Sequence, residues 1–228
     1  MPADVPSREA WSTTLTWSLV VPVKLLAQAK SRLGLADQHR AELALAMAAD
    51  TVAMAVDADY VAGVLVVTDD PEVSDIVSGL GAIALPDEPA AGLNQALAHG
   101  AAHAQARWPD RGRAALAGDL PAARPGELSA ALAAAARFGA AFVPDAGGTG
   151  TTLYAAAPGA TFAPQFGTAS RDRHLAAGAV EIAAAGAGLD LAGLRQDVDT
   201  IDDLRRAASI GLGPRTLALV RAHRGLLS

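Results

Sequence analysis

No cysteine occurs in the 228 residues, so a disulfide framework, a thiolate metal site and a cysteine nucleophile are all excluded. Aromatic residues amount to only 4%, which leaves the core to Leu, Val, Ile and Ala and suits helices laid against a sheet. Positive charge is scarce as well. With 18 Lys and Arg against 24 Asp and Glu, the net charge of -6 argues against the broad basic footprint of a nucleic-acid binder or of a protein lying on an anionic membrane. Any positive site must be local. Apolar runs are too short to span a bilayer, since Arg137 interrupts the richest alanine stretch and Glu181 the next. The opening residues, MPADVPSREAWS, lack the apolar centre of a signal peptide. Residues 1–16 therefore read as a flexible leader and residues 17–228 as one domain, in a cytoplasmic protein with neither a nucleic-acid nor a membrane partner.

What is present centres on LVVPVKLLAQAKSRL, Leu19 to Leu33. An apolar, β-branched run turns within ten residues into a segment carrying Lys24, Lys30, Ser31 and Arg32. A buried strand thus delivers cations to its own C-terminal end, the edge at which open α/β sheets bind ligands. Three cations crowded there call for an anion, and a polyphosphate would supply one. A solvated basic loop is the plainer alternative.

The rest of the chain alternates strand and helix. Asp37 can cap a helix in which Leu43, Met47, Thr51 and Met54 form one apolar stripe, ending near Asp57. Val61 to Thr68 is too continuously apolar for a half-exposed strand and reads as a central parallel one. Asp70, Pro71 and Glu72 supply the cap, first-turn proline and first-turn acid of the next helix. A strand at Ala82–Leu85, a helix from Asn94 to Arg107, a strand ending at Leu116, a helix from Pro125 to Phe138 and a strand at Ala140–Val143 follow. This is βαβ logic, and a mostly parallel sheet flanked by helices is the expected α/β architecture. After Pro144 come two glycine loops, a short strand at Leu153–Ala156, and a helix opening near Ser170. Residues 181–194 give no firm reading. Thr200 and Asp203 then make a capping-box pattern for a helix through Ile210, and Arg215 to His223 forms a last helix.

Two aspartate sites carry potential chemistry. Asp119 lies just past a strand end, and Asp197 and Asp199 flank Val198, so that in an extended segment both point the same way. Carboxylates gathered at a sheet edge opposite a cationic loop are hard oxygen ligands for Mg2+ holding a nucleotide; as solvated helix-entry acids, Asp197 and Asp199 would do nothing of the kind. GGTGTT, Gly147 to Thr152, lacks the Walker A lysine, yet its backbone N–H groups can approach an anion. FGTAS repeats the device, with Ser170 able to cap the following helix. Together the two loops suggest a second anion pocket. His99 and His103, four apart on a helix, have no third ligand and read as a solvated face. His174, between Arg173 and Leu175, reads as part of a surface patch.

Taken in order, VPVKLLAQAKSRL, VVTDDP, GLNQAL, AGDLP, PDAGGTGTT, FGTAS and DVDTIDDL resemble the phosphoenolpyruvate or 2-phospho-L-lactate guanylyltransferases of deazaflavin coenzyme F-420 biosynthesis. The resemblance spans roughly Leu19 to Ile210. It implies a single-domain, Rossmann-like nucleotidyltransferase fold, with VPVK and AKSRL in place of the glycine-rich opening of the wider group. It implies that Lys24, Lys30 and Arg32 neutralise the GTP triphosphate, that Asn94 contacts the nucleoside, and that Asp119 and Asp199, with Asp197 a third, hold Mg2+. Thr152, Gly167 and Ser170 match the pocket for the phosphorylated acceptor. The implied reaction moves GMP from GTP to phosphoenolpyruvate and releases pyrophosphate. Its alternatives are transfer to 2-phospho-L-lactate or another small phosphoacid, and a GTP-binding regulatory protein without turnover. A homodimer is left open.

Overall fold

The computed structural model describes residues 15–28, 30, 33, 36–182 and 188–223. The expected leader lies outside these, apart from Leu15 and Thr16, and Leu15 packs on the core. Ser31 and Arg32 also lie outside the described residues.

The first strand, β1 (Trp17–Pro22), forms because an unbroken apolar run can be buried on both faces only inside a covered sheet. Leu19 and Val21 enter one core cluster and Val20 another, all fully buried. Each such side chain contributes roughly 1.5–3 kcal/mol. A 3-10 turn (Leu26–Gln28) follows, then α1 (Asp37–Val56), β2 (Val61–Val67), α2 (Pro71–Gly79), β3 (Ile83–Leu85), α3 (Leu93–Arg107), β4 (Gly112–Leu116), α4 (Pro125–Ala135), β5 (Ala140–Pro144), β6 (Thr151–Ala156), α5 (Ser170–Ala176), β7 (Val180–Glu181), α6 (Ala192–Arg195), α7 (Ile201–Ile210) and α8 (Pro214–Ala222). The expected stripe of α1 is buried throughout. Asp37, however, is the first helical residue, and Ala36 occupies the cap position without a side-chain bond.

The sheet has seven strands in the order β3-β2-β1-β4-β6-β5-β7. Pairs β1–β2, β2–β3, β1–β4 and β5–β7 are parallel. Strand β6 inserts antiparallel between β4 and β5, in a sheet that is otherwise parallel. The cause is chain length. Six residues separate β5 from β6, enough to reverse the chain but too few for the crossover a parallel neighbour needs. Among the described residues no helix is long and apolar enough to cross a membrane.

Strand order reverses direction at β1 and β4, so the crevice beyond their C-terminal ends is the topological switch point of the sheet. Both the basic loop and Asp119 leave the sheet there.

Candidate active site

Beyond Pro22 the chain stays bound to its neighbour for one more residue, the Val23 N–H donating to the Val67 carbonyl (2.9 Å). Lys24 is then exposed. The following turn is pinned by Asp70, whose carboxylate has two duties. One oxygen accepts from the N–H groups of Glu72 and Val73 at the start of α2, and the other accepts from the Leu26 N–H (3.0 Å). Lys30, in a left-handed conformation (φ 56°), turns its ammonium back into the crevice, where it pairs with the carboxylates of Asp119 and Asp199 (3.1 Å to Asp199). Burial alone would pull this lysine's pKa down. The two carboxylates outweigh it and hold the pKa above the ordinary lysine value, so the ammonium is charged.

The loop carrying Asp119 is held by hydrogen bonds from three directions. The Asp119 carbonyl accepts from Val198 (3.2 Å), the Leu120 N–H donates to the Thr51 hydroxyl (3.0 Å), and the Pro121 carbonyl accepts from Gly213 (2.6 Å). Thr51, read from sequence as part of an apolar stripe, therefore also anchors the loop that carries Asp119. In the Asp197-Val198-Asp199 segment, Val198 is fully buried with Leu43 and Met47 of α1. Its two neighbours face the crevice side together, as an extended chain requires. The Asp199 and Thr200 N–H groups donate to Asp203, which closes the expected capping box of α7.

Sequence reasoning missed a fourth carboxylate. Asp145 opens the turn between β5 and β6, and its two oxygens accept from the N–H groups of Thr149 (2.9 Å) and Gly150 (2.8 Å). A Cβ at Gly150 would collide with that carboxylate, so only glycine fits. The anion approached by the glycine-rich loop is thus the chain's own aspartate. The Arg195 guanidinium clasps the Pro144 and Asp145 carbonyls (3.1 and 2.9 Å), which ties this turn to the segment leading into Asp197. The signal available in sequence was an aspartate heading a Gly-rich tight turn, whose side chain bonds its own backbone a few residues on. Asp197 registers the crowding. Its pKa is pushed up to about 7, first by burial and then by Asp119, Asp145 and Asp199, with Lys30 pulling the other way. Carboxylates that repel one another along one crevice suit a divalent cation bound through oxygen.

The second glycine loop is organised by a residue expected on the surface. His174 is fully buried. Its Nε2 accepts from the Gln165 N–H (2.8 Å), which leaves the proton on Nδ1 to be donated to the Thr151 hydroxyl (2.9 Å). Ser170 donates to the same hydroxyl (3.1 Å). Burial, with a smaller push from Arg173, lowers the His174 pKa to about 4, so the ring is neutral; it stacks on Tyr154 at 4.9 Å. The patch reading failed because the charged neighbours Arg171, Asp172 and Arg173 say nothing of the helix face that one residue in four presents inward. Ser170 lies inside α5, with Ala169 at the cap position, so it does not cap that helix. Gly167 is exposed in a left-handed conformation (φ 111°). Thr152 is buried, its hydroxyl 3.5 Å from the Val143 carbonyl. Asn94 uses both ends of its amide on Phe166, donating to its carbonyl (3.1 Å) and accepting from its N–H (2.9 Å).

The structure thus brings Lys30, Asp119, Asp197 and Asp199 together, joined by Asp145, and sets Asn94, Thr152, Gly167 and Ser170 in and around a second loop system. The Arg171 N–H, donating to the Thr149 carbonyl (3.2 Å), links the two loops. A cavity of about 330 Å³ opens at the ends of β2 and β3, lined by residues including Asp69, Ser74 and Pro86. The His99 and His103 rings lie 4.5 Å apart on α3, inclined at 56°.

Residues 17–215 match the model of the family described as guanylyl transferase CofC like. The chain is 58% identical, over 90% of its length and 89% of the relative's, to a phosphoenolpyruvate guanylyltransferase of Thermomonospora curvata. It is 54% identical to one of Streptomyces scabiei, covering 90% of this chain and 95% of that one. Among solved structures, a nucleotidyl transferase from Methanothermobacter thermautotroptrophicus shares the fold, with a TM-score of 0.59 at 22% identity over 86% of this chain and 97% of that one. The chain belongs to the guanylyl transferase CofC-like family.

Proposed function

We propose that this protein transfers GMP from GTP to phosphoenolpyruvate. The observation that carries the reading is the convergence of Lys30 with Asp119, Asp145, Asp197 and Asp199 at the switch point of the sheet. The relatives named as phosphoenolpyruvate guanylyltransferases support the choice of acceptor.

In the proposed reaction a phosphate oxygen of the acceptor attacks the α-phosphorus of GTP. The bond from that phosphorus to the oxygen bridging the α- and β-phosphates breaks in line, and pyrophosphate leaves. A phosphomonoester has a second pKa of about 6, so the attacking oxygen is already ionised near neutrality. No general base is needed. The work of the protein is to hold two polyanions together. Lys24, Lys30 and Arg32 are assigned to the triphosphate, and the cavity at the ends of β2 and β3 to the nucleoside. Asp119, Asp197 and Asp199 are assigned as the ligands of Mg2+, which when bound supplies the neutralising charge between the two substrates. Thr152, Gly167 and Ser170 are assigned to the acceptor side. Asn94 serves there by holding the Phe166–Gly167 loop in place, since its amide is already engaged. Both substrates are small, water-soluble phosphates, and we assign the reaction to the cytoplasm.

The test supplies GTP and Mg2+ with phosphoenolpyruvate or 2-phospho-L-lactate in parallel and follows pyrophosphate release, with products identified by mass. Guanylylated phosphoenolpyruvate is the expected product. Reaction with phospholactate alone would keep the chemistry and overturn the acceptor, and GTP binding without turnover would overturn the enzyme.

A further inference from the structure

Helix α8 runs antiparallel to α1 and is fastened to it at both ends. At its start, the buried Asp50 carboxylate of α1 accepts from the N–H groups of Arg215 (3.1 Å) and Thr216 (2.8 Å). Gly213 sits so close to Asp50 that a Cβ there would overlap the carboxylate. At the far end His223 stops α8, its N–H still bonded to the Leu219 carbonyl (3.0 Å), and lies against the first turns of α1. There it meets His39 and Glu42, three apart and therefore on one face.

One imidazole nitrogen from each histidine and one oxygen of Glu42 all lie within 4.8 Å of one another. The two rings are 4.6 Å apart and inclined at 53°. All three residues are half-buried. Among the described residues neither imidazole makes a hydrogen bond, and the Glu42 carboxylate accepts only from the exposed Gln38 side chain (3.0 Å). A tetrahedral ion with bonds of about 2.0–2.1 Å sets its ligand atoms about 3.3 Å apart. Side-chain rotation closes the remaining gap.

We propose that His39, Glu42 and His223 form a binding site for a first-row transition dication such as Zn2+, which clips the last helix onto α1. Two imidazoles and one carboxylate select such an ion over Mg2+, which prefers oxygen alone. The site shares no residue with the carboxylate cluster assigned to guanylyl transfer. Its mechanical reach extends toward that cluster all the same. Arg40, next to His39, donates to the Ala27 carbonyl (3.1 Å) in the turn that precedes Lys30, so a stiffened start of α1 steadies the basic loop.

The experiment titrates Zn2+ into the tag-free full chain in excess Mg2+, in competition with a chromophoric chelator, and follows amide exchange in α8. The expected result is one Zn2+ per chain with slowed exchange in α8. His39→Gln and His223→Gln should each weaken binding about 30-fold or more, and Glu42→Gln about 10-fold. Circular dichroism, together with Mg2+-dependent pyrophosphate release unchanged in His39→Gln and Glu42→Gln when Zn2+ is absent, shows that these chains are folded. Asp119→Asn should bind Zn2+ as the unaltered protein does. The proposal is overturned if Zn2+ does not bind below about 100 µM, if binding survives the histidine substitutions, or if Asp119→Asn abolishes it.

Discussion

Around Asp197 four carboxylates and the Lys30 ammonium share a crevice, and burial followed by the neighbouring carboxylates raises the pKa of Asp197 to about 7. Around His174 the arrangement is the reverse. A neutral ring, two hydroxyls and a backbone N–H satisfy one another with no ion required. The first region is incomplete until something positive arrives, whereas the second is complete as it stands. Charge that the fold leaves unbalanced marks where an ion acts, and the closed neutral network holds still the loop assigned to the acceptor.

Replacing Lys30 by Met should have a large effect on the charged side. It removes the ammonium paired with Asp119 and Asp199 and should lower guanylyl transfer by about 10²–10³-fold with the fold retained, as steady-state pyrophosphate release would register.

On the neutral side the decisive variable is acid. The folded His174 pKa of about 4 lies below the ordinary histidine value of 6.5, so the unfolded chain binds the extra proton first as pH falls. Stability is therefore whole above about pH 6.5 and is lost progressively down to about pH 4, by about 3 kcal/mol. Denaturant melts across that range would register the slope. His174→Gln should start less stable and lose most of the slope; an unchanged slope would place the proton elsewhere.

Asp197 runs the other way. Its folded pKa is raised from 3.8 to about 7, so the native chain holds a proton that the unfolded chain has released. That contribution is present below about pH 4 and disappears as pH rises through 7. Metal-free Asp197→Asn should then be more stable than the unaltered protein at pH 8, on the order of 2 kcal/mol after allowing for solvent screening. Melts in chelator at pH 5 and pH 8 test this. The smallest effect belongs to Asn94→Ala, which frees Phe166 and should cost about 1 kcal/mol. The KM for phosphoenolpyruvate should rise about 5-fold with kcat little changed.

The same contrast governs what could be read from sequence. Helix α2 was legible because cap, proline and first-turn acid are consecutive, and the Thr200–Asp203 box likewise. Asp119 and the Asp197–Asp199 pair were legible as acids following predicted strand or preceding predicted helix. Lys30 was legible as a cation at a strand's end, but not as the partner of two aspartates 89 and 169 residues away. Asp145 escaped because a turn-closing aspartate looks the same whether or not a tertiary fold sets three more carboxylates near it. His174 escaped because its burial depends on β5 and β6 packing over one face of a short helix. The direction of β6 follows from chain length and pairing, not from its residues. Local chemistry was readable, and long-range pairing was not.

The account turns on Asp119, which leaves the sheet at its switch point and meets Lys30. Guanylyl transfer to phosphoenolpyruvate should be measured for Asp119→Asn and the unaltered protein across a range of Mg2+ concentrations, with folding checked by circular dichroism. The account predicts a loss of about 10³-fold in kcat and a shift to higher Mg2+ requirement in a folded variant. A folded Asp119→Asn protein with full turnover and the same Mg2+ dependence would contradict it.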